Sequence, residues 1–472
     1  MVEVPIGGMV LALPMRHKIS FIAPVLSAAL LAGCASVDYD AEQSGIFAAA
    51  AGRAAVAPAD AAAIEAALAG PLTEETAVAI ALANNRGLRA ELAASGLARA
   101  DWVEAGTLPD LAAELNIIPV EGSDILDIDL AAPVLRLLAL PAYRAEARRR
   151  YDAARDRAVL EVVDFIAATR LAFVEAVAAR QRAELAATVE DAVNASLLVS
   201  EELHAAGNIP AVDLDRERVQ AHQVRLFAED ARLAAELAET ALKARLGLEA
   251  ETGLDLPSRL PDPAGEPPAA GAVAERALEA SLALAAARAE AEAAATAAGL
   301  ANPESLIGHV EAGAVLERED GDWTDGLLIE AELPLFTLGH PARARARIRA
   351  EAALDRLAQL TLDTAAAARM AAREAEAAGA QARFIRESLL PTSEQALDGV
   401  MAEYNAMQIG VFDLLDAYET HIAVGRSYVD ALERHHGART RLEQVLAGGS
   451  AVAPSLEAGV PAGNPGGGQG DH

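Results

Sequence analysis

AGNIPAVDL fills residues 206–214, and AMQIGVFDL fills residues 406–414. Aligned, they place Ala206, Ile209, Asp213 and Leu214 opposite Ala406, Ile409, Asp413 and Leu414, with Val212 opposite Phe412. The offset is 200 residues, and each stretch interrupts a long helical pattern. A chain that breaks its helix twice, in nearly the same words and at a fixed interval, carries an internal repeat. Gly207 and Gly410 can take turn geometry, and Asp213 and Asp413 can cap the returning helices.

The pattern extends outward from both turns. Before the first, Val159, Leu160, Val163, Ile166, Leu171, Val174 and Val177 keep an apolar stripe at helical spacing, from about Pro141 to Ala206. Some 65 such residues make a rod of roughly 100 Å, which suits coiled-coil packing better than a compact core. Residues 213–246 form the return helix. The second half has a long helix from Pro341 to about Met407 and a return over 411–446. Each half also opens with a helix. The first follows Thr73 in PLTEETAVAIALANN and runs to about Gly106; the second covers about 272–300.

Between opening and long helices the period changes. In ILDIDL, Asp127 and Asp129 alternate with Leu126, Ile128 and Leu130, the signature of a strand exposed to two environments. LAAELNII and VEGSD supply its partner and turn, giving a β-hairpin at about 111–132. LIGHVEAGAVLE and LLIEAELPL make a second hairpin at about 305–335, around the loop EREDGDWTDG with Trp323. The predicted fold is mainly α with a small β part: tandem-duplicated long helical hairpins plus two β-hairpins. The boundaries are a signal segment 1–33, a linker 34–71, a first repeat 72–248 with its turn at about 207–212, a Pro/Gly-rich linker 249–271, a second repeat 272–447 with its turn at about 408–412, and a disordered tail 448–472.

The net charge of -31 excludes a phosphate surface, so nucleic acid is not an expected partner. Cys34 is the single cysteine, which rules out a disulfide framework and a cysteine metal site. Arg16, His17 and Lys18 precede an apolar run that ends in Leu31-Ala32-Gly33-Cys34, a secretory pattern with Met15 as its natural start. Past Cys34 no apolar run reaches the ~20 residues of a spanning helix, so any membrane crossing is by strands. Four strands are too few for a membrane barrel, which starts at about eight, and open edges are costly in lipid. Copies of the chain must close the sheet; two would give eight strands and three twelve. Asp127, Asp129, Glu330 and Glu332 alternate with apolar residues and are candidates to line the lumen. His435-His436 has no third ligand nearby and reads as a solvated helix face. No nucleophile, nucleotide or metalloprotease motif appears, and no enzyme or metal cofactor is expected.

These features together resemble the TolC-type outer-membrane channels of efflux and type I secretion systems. The resemblance covers about residues 72–446 and rests on LTEETAVAIALANN, the duplicated plan, DLAAPVL, AELPLF and the two turns. It implies a homotrimer whose strands form one 12-stranded barrel and whose helices form a periplasmic tunnel. Leu-Ala-Gly-Cys resembles the lipoprotein signal of the branch that works with RND pumps, which implies a covalent lipid on Cys34 and an outer-membrane location. GNIPAVDLDRE and ARLGLE resemble its metal-efflux members. EYNAMQIGVFDLLDA matches the region that holds the family's tunnel shut, so Tyr404, Asp413, Asp416 and Asp213 are candidate gate residues. Ile409 stands where some members have an Arg, so the latch differs. The turns, with Gly207, Asn208, Ile209, Gln408, Ile409 and Gly410, are candidate docking points for a periplasmic adaptor.

The resemblance thus implies a passive conduit between an inner-membrane pump, its adaptor and the exterior. A structural or adaptor-like coiled-coil lipoprotein is the alternative. An adaptor has one helical hairpin flanked by β-rich domains, and a structural rod has no use for alternating strands.

Overall fold

The computed structural model describes residues 38–56, 66, 70–120, 123–265, 268–307, 310–319, 322–331 and 337–450. Cys34, the signal segment, Glu332 and the tail beyond Ser450 lie outside the described residues.

Both halves follow one plan: opening helices, a β-hairpin, a long helix and a return helix. The first half has α2 (Glu74–Asn84), α3 (Arg86–Glu91), α4 (Ala93–Ala105), β1 (Ala112–Val120), β2 (Ser123–Pro133), α5 (Val134–Ala205) and α6 (Ala211–Leu246); α1 (Tyr39–Arg53) precedes it. The second has α7 (Ala270–Ala280), α8 (Leu282–Ile307), β3 (Val310–Glu319), β4 (Asp322–Ala331), α9 (His340–Phe384), a π turn (Ile385–Leu389), α10 (Leu390–Asn405) and α11 (Val411–Leu446). The chain is mainly helical with one small sheet, as the periodicity predicts.

Local chemistry explains where elements start and stop. The opening helix, expected to be continuous, breaks at Asn85, whose side chain accepts from Leu88 N–H at 3.0 Å and so caps α3. Its counterpart breaks at Ser281, which sits in extended backbone at ψ 114. Alternation in β2 ends at Pro133, and α5 begins at the next residue with no loop between. The second hairpin starts later than expected, at Val310, because α8 continues to Ile307 through Pro303. Trp323 belongs to β4 rather than to a loop; it is 50% exposed, with the Arg318 guanidinium 5.9 Å from its ring.

The strands form one antiparallel sheet in the order β1-β2-β3-β4, with β2 and β3 joining the two hairpins. Register sorts most of its side chains, with Val315 and Leu328 on the acidic face and Arg318 and Asp325 on the apolar one as exceptions. Glu114, Asp129 and Val315 share a row, as do Asn116, Asp127, Glu317 and Thr324, while Glu311 pairs with Glu330. One face therefore carries Glu114, Asn116, Asp127, Asp129, Glu311, Glu317 and Glu330. The other carries Leu115, Ile117, Leu126, Ile128, Leu130, Leu316, Leu327 and Ile329. Gly313 is obligatory: a Cβ there would lie 1.9 Å from the Leu130 carbonyl oxygen.

Contacts divide the chain into two compact units, and each draws on both halves. The first comprises residues 1–61, 79–166 and 282–361, and includes the sheet. In it α1 occupies part of the expected linker 34–71. Asp38 caps α1 by accepting from Ala41 N–H at 3.0 Å, and Ile46 and Ala50 are fully buried. Glu42 accepts from Tyr151 Oη at 2.7 Å, and Tyr151 stacks on Trp102 with ring centroids 5.3 Å apart. The stretch read as a linker because Ala and Gly dominate it; the small side chains are what let it pack closely.

The second unit comprises residues 62–78, 167–281 and 362–472. Its core is built from small residues: Ala368, Ala371, Ala372, Ala375 and Ala438 pack with Val273, Leu442 and Val445. Across it, Arg170 bridges Glu443 at 3.0 Å and Glu74 at 3.2 Å. Burial pushes the Glu74 carboxyl above its usual range despite that arginine. The expected linker 249–271 is here an ordered strap over residues 249–265. Leu256 and Leu260 are buried, Leu256 O accepts from Arg180 Nη1 at 3.0 Å, and Leu260 N–H donates to Gln181 Oε1 at 3.3 Å. Pro and Gly made it look solvated, while the two leucines four apart were the signal for burial.

Candidate functional site

The two turns lie within the second unit, together with residues 167–205 of α5 and with α6, α10 and α11. Each long helix ends on the same backbone bonds. Gly207 N–H reaches His204 O at 2.9 Å and Asn208 N–H reaches Leu203 O at 2.8 Å; Met407 N–H reaches Tyr404 O at 2.9 Å and Gln408 N–H reaches Glu403 O at 3.0 Å. This is the Schellman ending, which requires a left-handed residue. In the first turn that residue is Gly207, at φ 76. In the second it is Met407, at φ 59 and 93% exposed. The expectation that Gly410 supplies the turn geometry is therefore corrected. Gly410 is extended (φ -85, ψ 169), a conformation open to any residue.

The return helices begin differently too. Gly410 N–H donates to Asp413 Oδ2 at 3.0 Å, so Asp413 reaches back to cap α11. Asp213 occupies the matching place in α6, but Pro210 has no N–H to offer. Asp213 instead receives Arg216 Nη1 at 3.4 Å and is no cap. His204, at the position of Tyr404, fills part of the first turn through Nδ1, 3.0 Å from Ile209 O.

Behind the turns a cavity of about 680 Å3 is lined by α5, α6, α11 and the end of α10. Val193, Val224, Phe227, Ile422, Tyr404 and Tyr418 give it an apolar wall. Arg426 stacks on Phe227 with its guanidinium carbon 4.0 Å from the ring. Ser196 Oγ donates to the buried Glu217 at 3.3 Å. Burial raises the Glu419 carboxyl, and Asp416 and Glu217 nearby add to it.

Of the candidate gate residues, the structure thus places Tyr404 on the cavity wall, Asp413 on its own turn and Asp416 one helical turn from Glu419. Among the described residues no hydrogen bond or ion pair joins Asp213 to Tyr404, Asp413 or Asp416. Asn208, Ile209, Gln408 and Ile409 lie in the turns, where Asn208, Gln408 and the two glycines are exposed.

The lumen candidates fare differently. Asp127, Asp129 and Glu330 share one face of the sheet, and the register adds Glu114, Glu311 and Glu317, which sequence reasoning missed. Weaker alternation in β1 and β3 hid them. Asp127 lies opposite Glu317 and Glu311 opposite Glu330, like-charge pairs that weaken a sheet unless water screens them.

The histidine pair was also misread. His435 and His436 are 6% and 9% exposed, not solvated. His436 Nε2 lies 2.8 Å from Pro261 O, and among the described residues neither ring nitrogen of His435 has a hydrogen-bond partner. Burial, followed by His436 and the nearby Arg439 and Arg383 charges, pulls His435 down to about 4. Among the described residues no group of three or more His, Cys, Asp or Glu is arranged to hold a metal ion. No described helix is long and apolar enough to cross a membrane.

No known sequence family matches the chain, and neither does any curated protein. Solved structures do. A membrane protein from Pseudomonas aeruginosa aligns with a TM-score of 0.68 at 19% identity, over 82% of this chain and 92% of that one. The outer membrane protein VceC from Vibrio cholerae aligns with a TM-score of 0.68 at 18% identity, over 80% and 96%. The open state of the Neisseria gonorrhoeae MtrE outer membrane channel aligns with a TM-score of 0.62 at 18% identity, over 80% and 89%. At such identities the likeness is one of architecture, and the chain has the TolC-like fold of long helices with a small antiparallel sheet.

Proposed function

We propose that this chain is an outer-membrane channel of an efflux system, a passive conduit that carries substrate past the membrane without chemistry of its own. One observation carries the reading: a four-stranded sheet, mostly apolar on one face and rich in acidic residues on the other, with strands of 9, 11, 10 and 10 residues. Strands of ~9–11 residues match the hydrocarbon core of a bilayer. The apolar face suits lipid and the acidic face a wet lumen. Among the described residues the outer strands β1 and β4 each pair on one side only, so closure calls for further copies. The fold shared with outer-membrane channels supports the same reading.

Three copies would close the sheet as a 12-stranded barrel, with a covalent lipid on Cys34 as an added anchor. A periplasmic adaptor would meet the turns at about 207–212 and 408–412, and an inner-membrane pump of RND type would drive export. A structural coiled-coil lipoprotein leaves the two-faced sheet without a purpose.

Mass measurement of the detergent-solubilised full chain tests closure; three chains are expected, and a stable monomer overturns it. Conductance across a planar bilayer tests the conduit. The acidic face predicts modest cation preference that shrinks as salt rises, since charges are screened over roughly 8 Å at physiological ionic strength. Anion selectivity would refute the assignment of that face. Palmitate labelling of wild type against Cys34→Ala tests the lipid.

A further inference from the structure

The long helices of the two halves differ at one place. α5 runs unbroken from Val134 to Ala205, whereas the second long helix is interrupted by the π turn Ile385–Leu389. Pro391 follows two residues later. It has no N–H to give the Glu387 carbonyl, and its ring would crowd that carbonyl in a regular helix. π turns and prolines are the ordinary sites of helix bending.

What surrounds this turn is arranged for bending in one part and against it in another. On the near side, residues 368–375 of α9 sit in the small-residue core, which leaves no room to move. On the far side, α10 and α11 border the cavity of about 680 Å3, and Tyr404 near the end of α10 lines it. Atoms facing a void lose dispersion contacts, and segments with few contacts open at lower free energy.

At the turn itself stands a restraint. Ile385 packs with Ala382 and Ala431, and Leu390, Val424 and Tyr428 complete that cluster, tying the turn to α11. Over it lies the strap. Asp262 accepts a hydrogen bond from Tyr428 Oη at 2.6 Å through Oδ1, and its Oδ2 lies 3.5 Å from Arg386 Nη1. One carboxylate therefore holds a residue of the π turn and a residue of the facing helix together. Its neighbours fix its own position: Pro261 O meets His436, and Gly265 O accepts from Arg383 Nη1 at 3.4 Å.

We propose that the π turn Ile385–Leu389 is a hinge of the second helical hairpin and that Asp262 on the strap is its latch. With the latch made, α10 and its turn are held in register with α11 by the Tyr428 and Arg386 contacts. With it broken, α10 swings about the π turn into the space the cavity leaves. The first hairpin has no such device, because α5 has no π turn. The inference goes beyond the channel reading and does not depend on conduction.

Hydrogen exchange of the full chain in detergent, followed by mass spectrometry, reads it directly. Tyr428→Phe keeps the ring in its cluster and removes only the bond to Asp262; Asp262→Ala removes both contacts. Each variant is expected to speed exchange over residues 390–405 by about tenfold, with residues 362–378 unchanged. Pro391→Ala restores an N–H donor, so it should slow exchange over 385–396 and suppress the effect of Tyr428→Phe. Unaltered exchange at 390–405, or an equal rise at 362–378, would overturn the proposal. So would a Pro391→Ala variant that leaves the Tyr428→Phe effect whole, because the turn would then be no hinge.

Discussion

The two turns of this molecule share one backbone and differ in the residues that hold it. Gly207 adopts φ 76 without a side chain to strain, while Met407 holds φ 59 with one. Pro210 starts the first return helix without a side-chain cap, and Asp413 caps the second through Gly410. The first turn thus avoids strain and forgoes a cap; the second accepts strain and adds one. Equal geometry from unequal chemistry shows that the Schellman bonds set the turn, and that each half meets its backbone requirements in its own way. A strained residue persists only where its surroundings over-determine it, and such positions cluster at functional sites. The second turn, with its exposed Met407, is therefore the one to probe first.

The largest expected effect lies where the halves differ most in charge. His435 stands 200 residues from Ala235, so only the second hairpin carries this buried titratable group. Folded, it is pulled down to about 4 from 6.5. The unfolded chain then binds more protons between those pH values, and stability rises with pH across that window. Stability present at pH 7 should fall by roughly 3 kcal/mol on acidification to pH 4 from this residue alone. Thermal unfolding against pH should show a shallower acid decline in His435→Leu, and identical slopes would break the assignment.

Next come the left-handed positions, where opposite signs are expected. Gly207→Val places a β-branched residue at positive φ and should cost about 2 kcal/mol. Met407→Gly removes a side chain from that region and should gain about 1 kcal/mol. Unfolding midpoints that move in the same direction for both would show that the turns are not equivalent. Gly410→Ala should leave the backbone unperturbed, since its added Cβ comes no closer than 3.7 Å to Asp413 Oδ2.

The smallest difference concerns the matched aspartates. Asp413→Ala loses a cap and should cost about 1 kcal/mol, whereas Asp213→Ala loses only an exposed ion pair at the low end of 0–1 kcal/mol. Local exchange at the first turns of α11 and α6 would resolve the two. A larger cost at Asp213 would reverse the comparison.

Much of this was legible in the residues. The repeat interval, the hairpin positions and the long helices follow from periodicity, because a period of 2 or 3.6 survives whatever packs against it. Asp127, Asp129 and Glu330 were found on one face for the same reason. Glu114, Glu311 and Glu317 were not, since their strands alternate weakly and only the register aligned them. The segments around Tyr39 and Leu256 looked like linkers because composition reports a segment's average, while docking depends on a few buried side chains. Met407 could not be foreseen as the left-handed residue, because a glycine stood three positions away to attract the assignment. The buried histidines, the latch contacts of the strap and the π turn have no local signature that decides them. Their state depends on neighbours far along the chain: Pro261 beside His436, Asp262 between Arg386 and Tyr428, and Gly379 close against His435. The sequence by itself determined the elements and their order, through local periodicity and turn chemistry. Only the tertiary structure decided burial, charge state and latch, because those are properties of contacts between segments.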